Sequence, residues 1–304
     1  MNMPACVVYL SSFYLVFGYE EWFLIWLGLE LNMISFLIFS HMVNNVVVVE
    51  AMVKYFFIQS LGSGLLLGMM YLGWNSIVWS LILMMSMGVG PFFGWYIKVV
   101  KSFTWWVNYI LMIVQKVILL LLLVEVVSLF VFYMGMLSMI VGVFGVFGQV
   151  NMKGLMGYSS IFHGGWMFVL MEEKTLIWWL YFILYAMMML GIISLLANQL
   201  FLAIGVSSGL SKYGFILLML NLTGIPPFTG FIMKWVSFYF LFMFDYWLLI
   251  VMVVMSLVML YVYLRFAYDV FLGAVFSSGW SINYSVFYMA ESLGFVSFIF
   301  GFLV

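Results

Sequence analysis

Several ionisable side chains lie where a charge has no water to carry it. Glu30 falls inside Leu27-Gly28-Leu29-Glu30-Leu31-Asn32, and Lys116 follows Gln115 in the middle of an apolar run. Lys54 stands early in another run, ahead of Gln59, Ser60 and Ser63, and His163 follows Tyr158, Ser159 and Ser160. Lys98 and Lys234 each trail a segment rich in Gly and Pro. A charge at the centre of a bilayer costs about 2.5–3.5 kcal/mol on insertion scales, so each needs a reason to be there. Proton transfer is one such reason. Burial brings the proton affinities of lysines and carboxylates toward each other. Histidine titrates near neutrality, and neighbouring sites titrate as a coupled row. Changing the charge at one end of the row then changes proton affinity along it. Simpler roles stand beside this one. Lys54 can snorkel to the headgroups, His163 can be a neutral hydrogen-bonded core residue, Glu30 can be interhelical glue, and Lys98 can anchor a helix end as Lys101 does.

The Gly- and Pro-rich segments form a repeat. Gly88-Val89-Gly90-Pro91-Phe92-Phe93-Gly94-Trp95 and Gly224-Ile225-Pro226-Pro227-Phe228-Thr229-Gly230-Phe231 share one pattern, and Lys98 and Lys234 follow at the same distance. Proline removes an intrahelical hydrogen bond and clashes with the turn before it. Both segments are therefore expected to break a helix mid-membrane, which is tolerated inside protein or against a wet cavity. Paired broken helices in inverted halves recur in ion transporters. Two unrelated kinks are the simpler alternative.

These residues need helices to position them. The sequence offers 68% hydrophobic and only 6% charged residues, whereas a water-soluble domain carries about 25% charged. Lipid is the required solvent. Runs near 3–18, 22–43, 50–72, 76–101, 104–124, 127–148, 154–171, 175–200, 212–243, 246–268 and 285–304 are each expected to span the membrane. The fold class is thus all-α integral membrane, with about eleven helices. Residues 1–304 form one antiporter-like domain, with inverted halves near 22–148 and 154–304. Lys101, Lys153, Lys212 and Arg265 fall on one side of this arrangement, with Asp269 against the trend. Glu20, Glu21, Glu125, Glu172, Glu173 and Asp245 fall on the other, with Lys174 against it. The positive-inside rule places the basic side, and with it the N-terminus, in the compartment of synthesis, and the C-terminus opposite.

Composition also excludes functions. A net charge of −1 gives no footprint for nucleic acid. One cysteine, Cys6, rules out an internal disulfide and a cluster held by this chain's thiolates, and two histidines are too few for a haem cage. The first residues carry no basic stretch, so no cleavable presequence is expected.

Gly28 to Asn32, Lys54-Tyr55-Phe56, Gly88 to Trp95, Gln115-Lys116, Tyr158 to Met167 and Gly224 to Trp235 occur in that order. Together they resemble the NADH-ubiquinone oxidoreductase chain 2 family, the smallest animal antiporter-like subunits of respiratory complex I. The resemblance runs from about residue 22 to about 268. It implies a multi-pass protein of the mitochondrial inner membrane with its N-terminus in the matrix and its C-terminus in the intermembrane space. The abundance of Met, Phe, Trp and Tyr suits a chain written in animal mitochondrial DNA. The resemblance further implies a proton relay of Glu30 as entry acid, Lys54 as a neighbouring cation, Lys116 as central lysine, His163, and Lys234 on the second broken helix. Lys98 is a possible further member. It implies no cofactor in this chain, with flavin, iron–sulfur clusters and ubiquinone in partner subunits. The implied partners are other membrane-arm subunits, including neighbouring antiporter-like chains, and lipids such as cardiolipin.

One departure stands out. The family usually has a lysine, paired with the glutamate, where this chain has Ser86. Lys98 is a candidate substitute from beyond the break, although the separation is about 18 Å along a continuous helix. Three functions follow from the reading: a proton-translocating complex I subunit, a structural membrane-arm subunit without conduction, and a stand-alone cation/proton antiporter.

Overall fold

The structure is a computed structural model that describes residues 3–19, 21–41, 45–73, 75–149, 151–172, 176–197, 209–226, 228–242 and 246–271. Every described regular element is helical. The first helices are α1 (Met3–Gly18), α2 (Trp22–Ser40) and α3 (Val46–Leu72). The expected fourth span is split into α4 (Ser76–Met87) and α5 (Phe93–Ser102), with a 3₁₀ turn at Gly90–Phe92 between them. The fifth comprises α6 (Trp105–Tyr109), a π-helical turn at Ile110–Val114 and α7 (Gln115–Val124). Next come α8 (Leu129–Phe147), α9 (Met152–Met171) and α10 (Ile177–Ala197). The expected ninth span is again split, into α11 (Gly209–Thr223) and α12 (Thr229–Phe242), and α13 (Tyr246–Phe271) follows.

Among the described residues, seven helical stretches are long and apolar enough to cross a membrane, and three shorter apolar helices accompany them. Helices thus occupy each expected span from 3–18 to 246–268. The expected span 285–304 and most of the linker before it lie outside the described residues, as do Glu20, Pro227, Glu173, Lys174 and Asp245 and the side chains of Lys212 and Asp269.

The helix least like a lipid-exposed span is the one buried deepest. α9 carries glycines, serines and His163, yet nearly all of it is buried, from Met152 to Met171. It packs most extensively on α8 and also touches α5 and α10. Without a hydrophobic drive between helices in lipid, close approach depends on small residues. At Gly165 a Cβ would stand 2.7 Å from the Gly135 carbonyl oxygen of α8, so only glycine fits. The polar face of α9 can therefore meet other helices rather than lipid, and this makes α9 the axis on which the site is built.

Candidate functional site

The first break begins with a helix ending at Met87. Gly88 adopts φ 66°, and its N–H donates to the Met85 carbonyl while Val89 N–H reaches back to Met84, a Schellman-type stop. Two carbonyls of this end take side-chain donors: Trp95 Nε1 donates to Met85 at 3.2 Å and Gln59 Nε2 to Ser86 at 2.8 Å. The second break follows the same logic with different donors. Gly224 takes φ 77°, and Lys234 Nζ donates to the Thr223 carbonyl at 2.7 Å. Asn221 Oδ1 accepts from Gly230 N–H at 2.8 Å and Thr229 Oγ1 at 2.9 Å, capping the start of α12. These polar groups released at the breaks thus find partners inside protein, as the hydrocarbon favours.

Lys98 and Lys234 match in sequence but not in place. Lys234 is buried and its stem packs over Gly224. Lys98 is exposed on α5 and lies within coulombic range of Glu50 on α3. Facing the first break, in the position Lys234 takes at the second, is Tyr96, whose Cβ packs against Gly88. The 3₁₀ turn winds at about 3.0 residues per turn instead of 3.6, so it rephases the side chains that follow. The expectation that Lys98 substitutes for a cation beside Glu30 is therefore corrected: Lys98 is exposed on α5 and is not among the residues lining the Glu30 cavity.

Lys116 is 5% exposed and has no carboxylate partner among the described residues. Its Nζ donates to the Ser160 carbonyl at 3.1 Å and approaches Ser160 Oγ at 3.4 Å. It also lies over the Tyr96 ring, 5.0 Å from the centroid, and Tyr96 Oη contacts Ser160 Oγ at 2.7 Å. A carbonyl, a hydroxyl and a ring face thus replace a counter-ion. The π-helical turn ends immediately before Gln115 and Lys116, and such turns often mark functional positions. Successive helical residues point about 100° apart, so these two serve different neighbourhoods. Lys116 faces α9, whereas Gln115 lines a cavity between α2, α3, α4 and α7.

That cavity holds Glu30. The half-buried Glu30 carboxylate accepts a hydrogen bond from Ser63 Oγ, and Asn32, Tyr55, Gln59, Ser86 and Gln115 complete the polar lining. Its volume is about 20 Å³, enough for one water molecule. Lys54 is elsewhere, ion-paired with Glu50 one turn earlier on α3. Nine residues of helix separate it from Ser63, which is about 13 Å of rise.

His163 lies within electrostatic range of both buried lysines. It is fully buried, and both Lys116 and Lys234 act on its ring electrostatically. Nδ1 contacts Tyr181 Oη at 2.7 Å, while Nε2 has no protein partner. Tyr185 flanks the ring at 4.6 Å between centroids. Tyr185 and Tyr263 bring their phenols up to Ser159 without closing a hydrogen bond. Lys116, His163 and Lys234 are thus all buried and within electrostatic range of one another at His163, Glu30 lies in a separate cavity that Gln115 also lines, and Lys54 and Lys98 belong to neither. Sequence reading missed Tyr96, Tyr181, Tyr185 and Tyr263. The i,i+4 spacing of Tyr181 and Tyr185 was the available signal, one helical face with two phenols.

A family profile described as "NADH:quinone oxidoreductase/Mrp antiporter, TM" matches residues 72–259, well over half of the chain. The chain belongs to this family. It is therefore an antiporter-like, multi-pass membrane subunit. It is similar to NADH-ubiquinone oxidoreductase chain 2 of Anopheles gambiae, 29% identical over 93% of this chain and 89% of that protein. It is likewise similar to NADH-ubiquinone oxidoreductase chain 2 of Rhipicephalus sanguineus, 33% identical over 87% and 88%. Among solved structures its fold matches a chain of respiratory complex I from Thermus thermophilus with bound aureothin. That match has a TM-score of 0.76 and 20% identity, covering 88% of this chain and 69% of that one. The family match spans both breaks, Lys98, Lys116, His163 and Lys234.

Proposed function

We propose that this chain translocates protons as a membrane-arm subunit of NADH:ubiquinone oxidoreductase in the mitochondrial inner membrane. Protons enter from the matrix near Glu30, cross by Lys116 and His163, and pass to Lys234 on the way to the intermembrane space. Lys54 acts at the entry side through its pair with Glu50. One observation carries this reading. Lys116 and Lys234 are both 5% exposed and bound to a backbone carbonyl instead of a carboxylate, and both act electrostatically on the buried His163. A permanent structural charge buried in a bilayer is normally paired. Two unpaired ones in a row suit groups that exchange protons.

Ser160 and His163 are three residues apart on α9, hence one above the other on the same face. A proton leaving Lys116 has Ser160 as its neighbour and His163 one turn on. The free Nε2 of His163 and the phenols of Tyr185 and Tyr263 are buried groups of the kind that ordered water bridges. The two breaks, each with a left-handed glycine, favour one domain of two inverted halves. The basic ends bearing Lys101 and Lys153 favour a matrix-side N-terminus and a C-terminus in the intermembrane space. Electron transfer, with its flavin, clusters and quinone, belongs to partner subunits. The other membrane-arm chains and lipids such as cardiolipin are the neighbours.

The deciding experiment replaces Lys116 by Met in the assembled complex and measures protons moved per NADH oxidised in proteoliposomes. The ratio falls if Lys116 relays protons. Removing the buried ammonium relieves an insertion cost of about 2.5–3.5 kcal/mol, so assembly is retained. An unchanged ratio in an assembled complex rejects the relay. It would favour the second reading, a structural membrane-arm subunit, whose support is the cavity around Glu30 with Ser86 and no basic side chain in its lining. Migration of the chain outside any large assembly would instead favour a stand-alone antiporter.

A further inference from the structure

A protonated lysine has three N–H donors, and three acceptors stand around Lys116. The Ser160 carbonyl lies at 3.1 Å, Ser160 Oγ at 3.4 Å, and the face of the Tyr96 ring has its centroid 5.0 Å away. The direction of the bonds between them follows from counting protons. Ser160 Oγ carries one proton, and it goes to the Gly157 carbonyl at 2.7 Å. The 2.7 Å bond between Tyr96 Oη and Ser160 Oγ is therefore donated by the phenol. Each of the three groups thus meets Lys116 as an acceptor. A neutral amine in the same place has one N–H fewer, and its lone pair meets no donor among them.

Tyr96 is itself clamped from two sides. It is buried, and its Cβ lies so close to Gly88 that a Cβ there would come within 2.5 Å of it. Its ring meets Trp95 edge-on at 5.9 Å, and Trp95 Nε1 donates to the Met85 carbonyl of the same break. Its phenol is tied to α9 through Ser160. At the second break the equivalent place beside the left-handed glycine belongs to an amine, Lys234 over Gly224. At the first it belongs to a neutral ring that serves an amine from another helix.

We infer that Tyr96 is a positioning residue of the relay: its ring, anchored on the first break and on Ser160, holds the Lys116 ammonium in place and favours it over the neutral amine. Attraction to a ring face requires a cation, so the ring acts on one of the two protonation states. The inference rests on the relay reading, because Tyr96 acts through Lys116. The titratable groups in range are His163 of α9, which interacts with Lys116, and Tyr185 of α10, which interacts with Tyr96. Helix α4 packs on α7 and carries none, and Glu30 of α2 lies in the neighbouring cavity.

The test records protons moved per NADH as a function of pH in proteoliposomes of the assembled complex, and follows the component that Lys116→Met abolishes. Without the ring Lys116 holds its proton less tightly, so a lower pH is needed for the same occupancy. Tyr96→Leu is expected to move the alkaline midpoint of that component to lower pH by about one unit, a tenfold change in proton affinity. Tyr96→Phe keeps the ring and frees a Ser160 lone pair for Lys116, so its midpoint stays or moves to higher pH. Added to Lys116→Met, Tyr96→Leu is expected to change nothing further. An unshifted midpoint in Tyr96→Leu overturns the inference. So does an equal acid shift in Tyr96→Phe, which would assign the effect to the hydroxyl, or a shift that persists without Lys116. Should Tyr96→Leu not assemble, Tyr96→Met, also without a ring, decides. An unchanged proton count in Lys116→Met alone overturns the relay reading and this inference with it. A reduced count there with an unshifted Tyr96→Leu overturns this inference alone.

Discussion

The chemistry of this chain rests on how single buried side chains are compensated. Lys116 has a carbonyl, a hydroxyl and the Tyr96 ring; Lys234 has the carbonyl released at Thr223; His163 has the Tyr181 phenol. Each partner is neutral, so each charge is held without being locked by a counter-ion. Tyr181 is the support most open to test. Tyr181→Phe leaves His163 Nδ1 unmatched in the core, at a cost of about 1–3 kcal/mol. The variant complex should show a lower unfolding temperature for its membrane arm by calorimetry, and His163→Phe added to it should restore part of the loss. A Tyr263→Phe variant removes a phenol that approaches Ser159 without closing a hydrogen bond. It is expected to leave thermal stability within about 0.5 kcal/mol of the original and to slow NADH-driven proton uptake, read with a pH-sensitive dye. The candidate residues were legible in the sequence because an ionisable group in an apolar run is conspicuous. Their partners were not, since Ser160, Tyr96 and Thr223 come from other elements.

At the level of elements, interruptions in the helices aim these groups. Gly88 and Gly224 end α4 and α11 in the left-handed region, which costs other residues roughly 1–2 kcal/mol. At Gly88 a side chain would also meet Tyr96. Gly88→Val is therefore expected to destabilise the first break by at least that amount, visible as reduced yield of the assembled complex on native gels. Both breaks could be read from Gly and Pro. The π-helical turn at Ile110–Val114 could not, because Ile-Leu-Met-Ile-Val is an unremarkable apolar run. The matching lysines behind the two octets misled for a related reason. Backbone chemistry determined where each helix breaks, but the rotation of α5 after its 3₁₀ turn put Tyr96 inward and Lys98 outward.

For the molecule as a whole, the polar helix α9 runs through the centre and the apolar helices surround it. Lys101 and Lys153 meet at one end: Gly154 abuts the Lys101 stem, and Lys153 Nζ donates to the Phe103 carbonyl at 2.7 Å. If that end faces the matrix, Thr104→Cys, an exposed position beside it, should react with a membrane-impermeant maleimide in inside-out particles and not in intact mitoplasts. Labelling from the opposite side would reverse the proposed orientation and the direction assigned to the relay.

Composition and hydropathy alone were enough to assign an all-helical membrane protein, because backbone polar groups in lipid have few other ways to be satisfied. They also located the buried ionisable residues and the two breaks, which depend on local chain chemistry. Which charges share a neighbourhood was decided only by tertiary structure. Lys116 of α7 reaches α9 through Ser160, and α12 meets α9 through Phe238 and Trp166, whereas Lys54 pairs with Glu50 and Lys98 is exposed. A helix places a side chain at every 100° or so, and its neighbours determine which of those directions faces water, lipid or another charge.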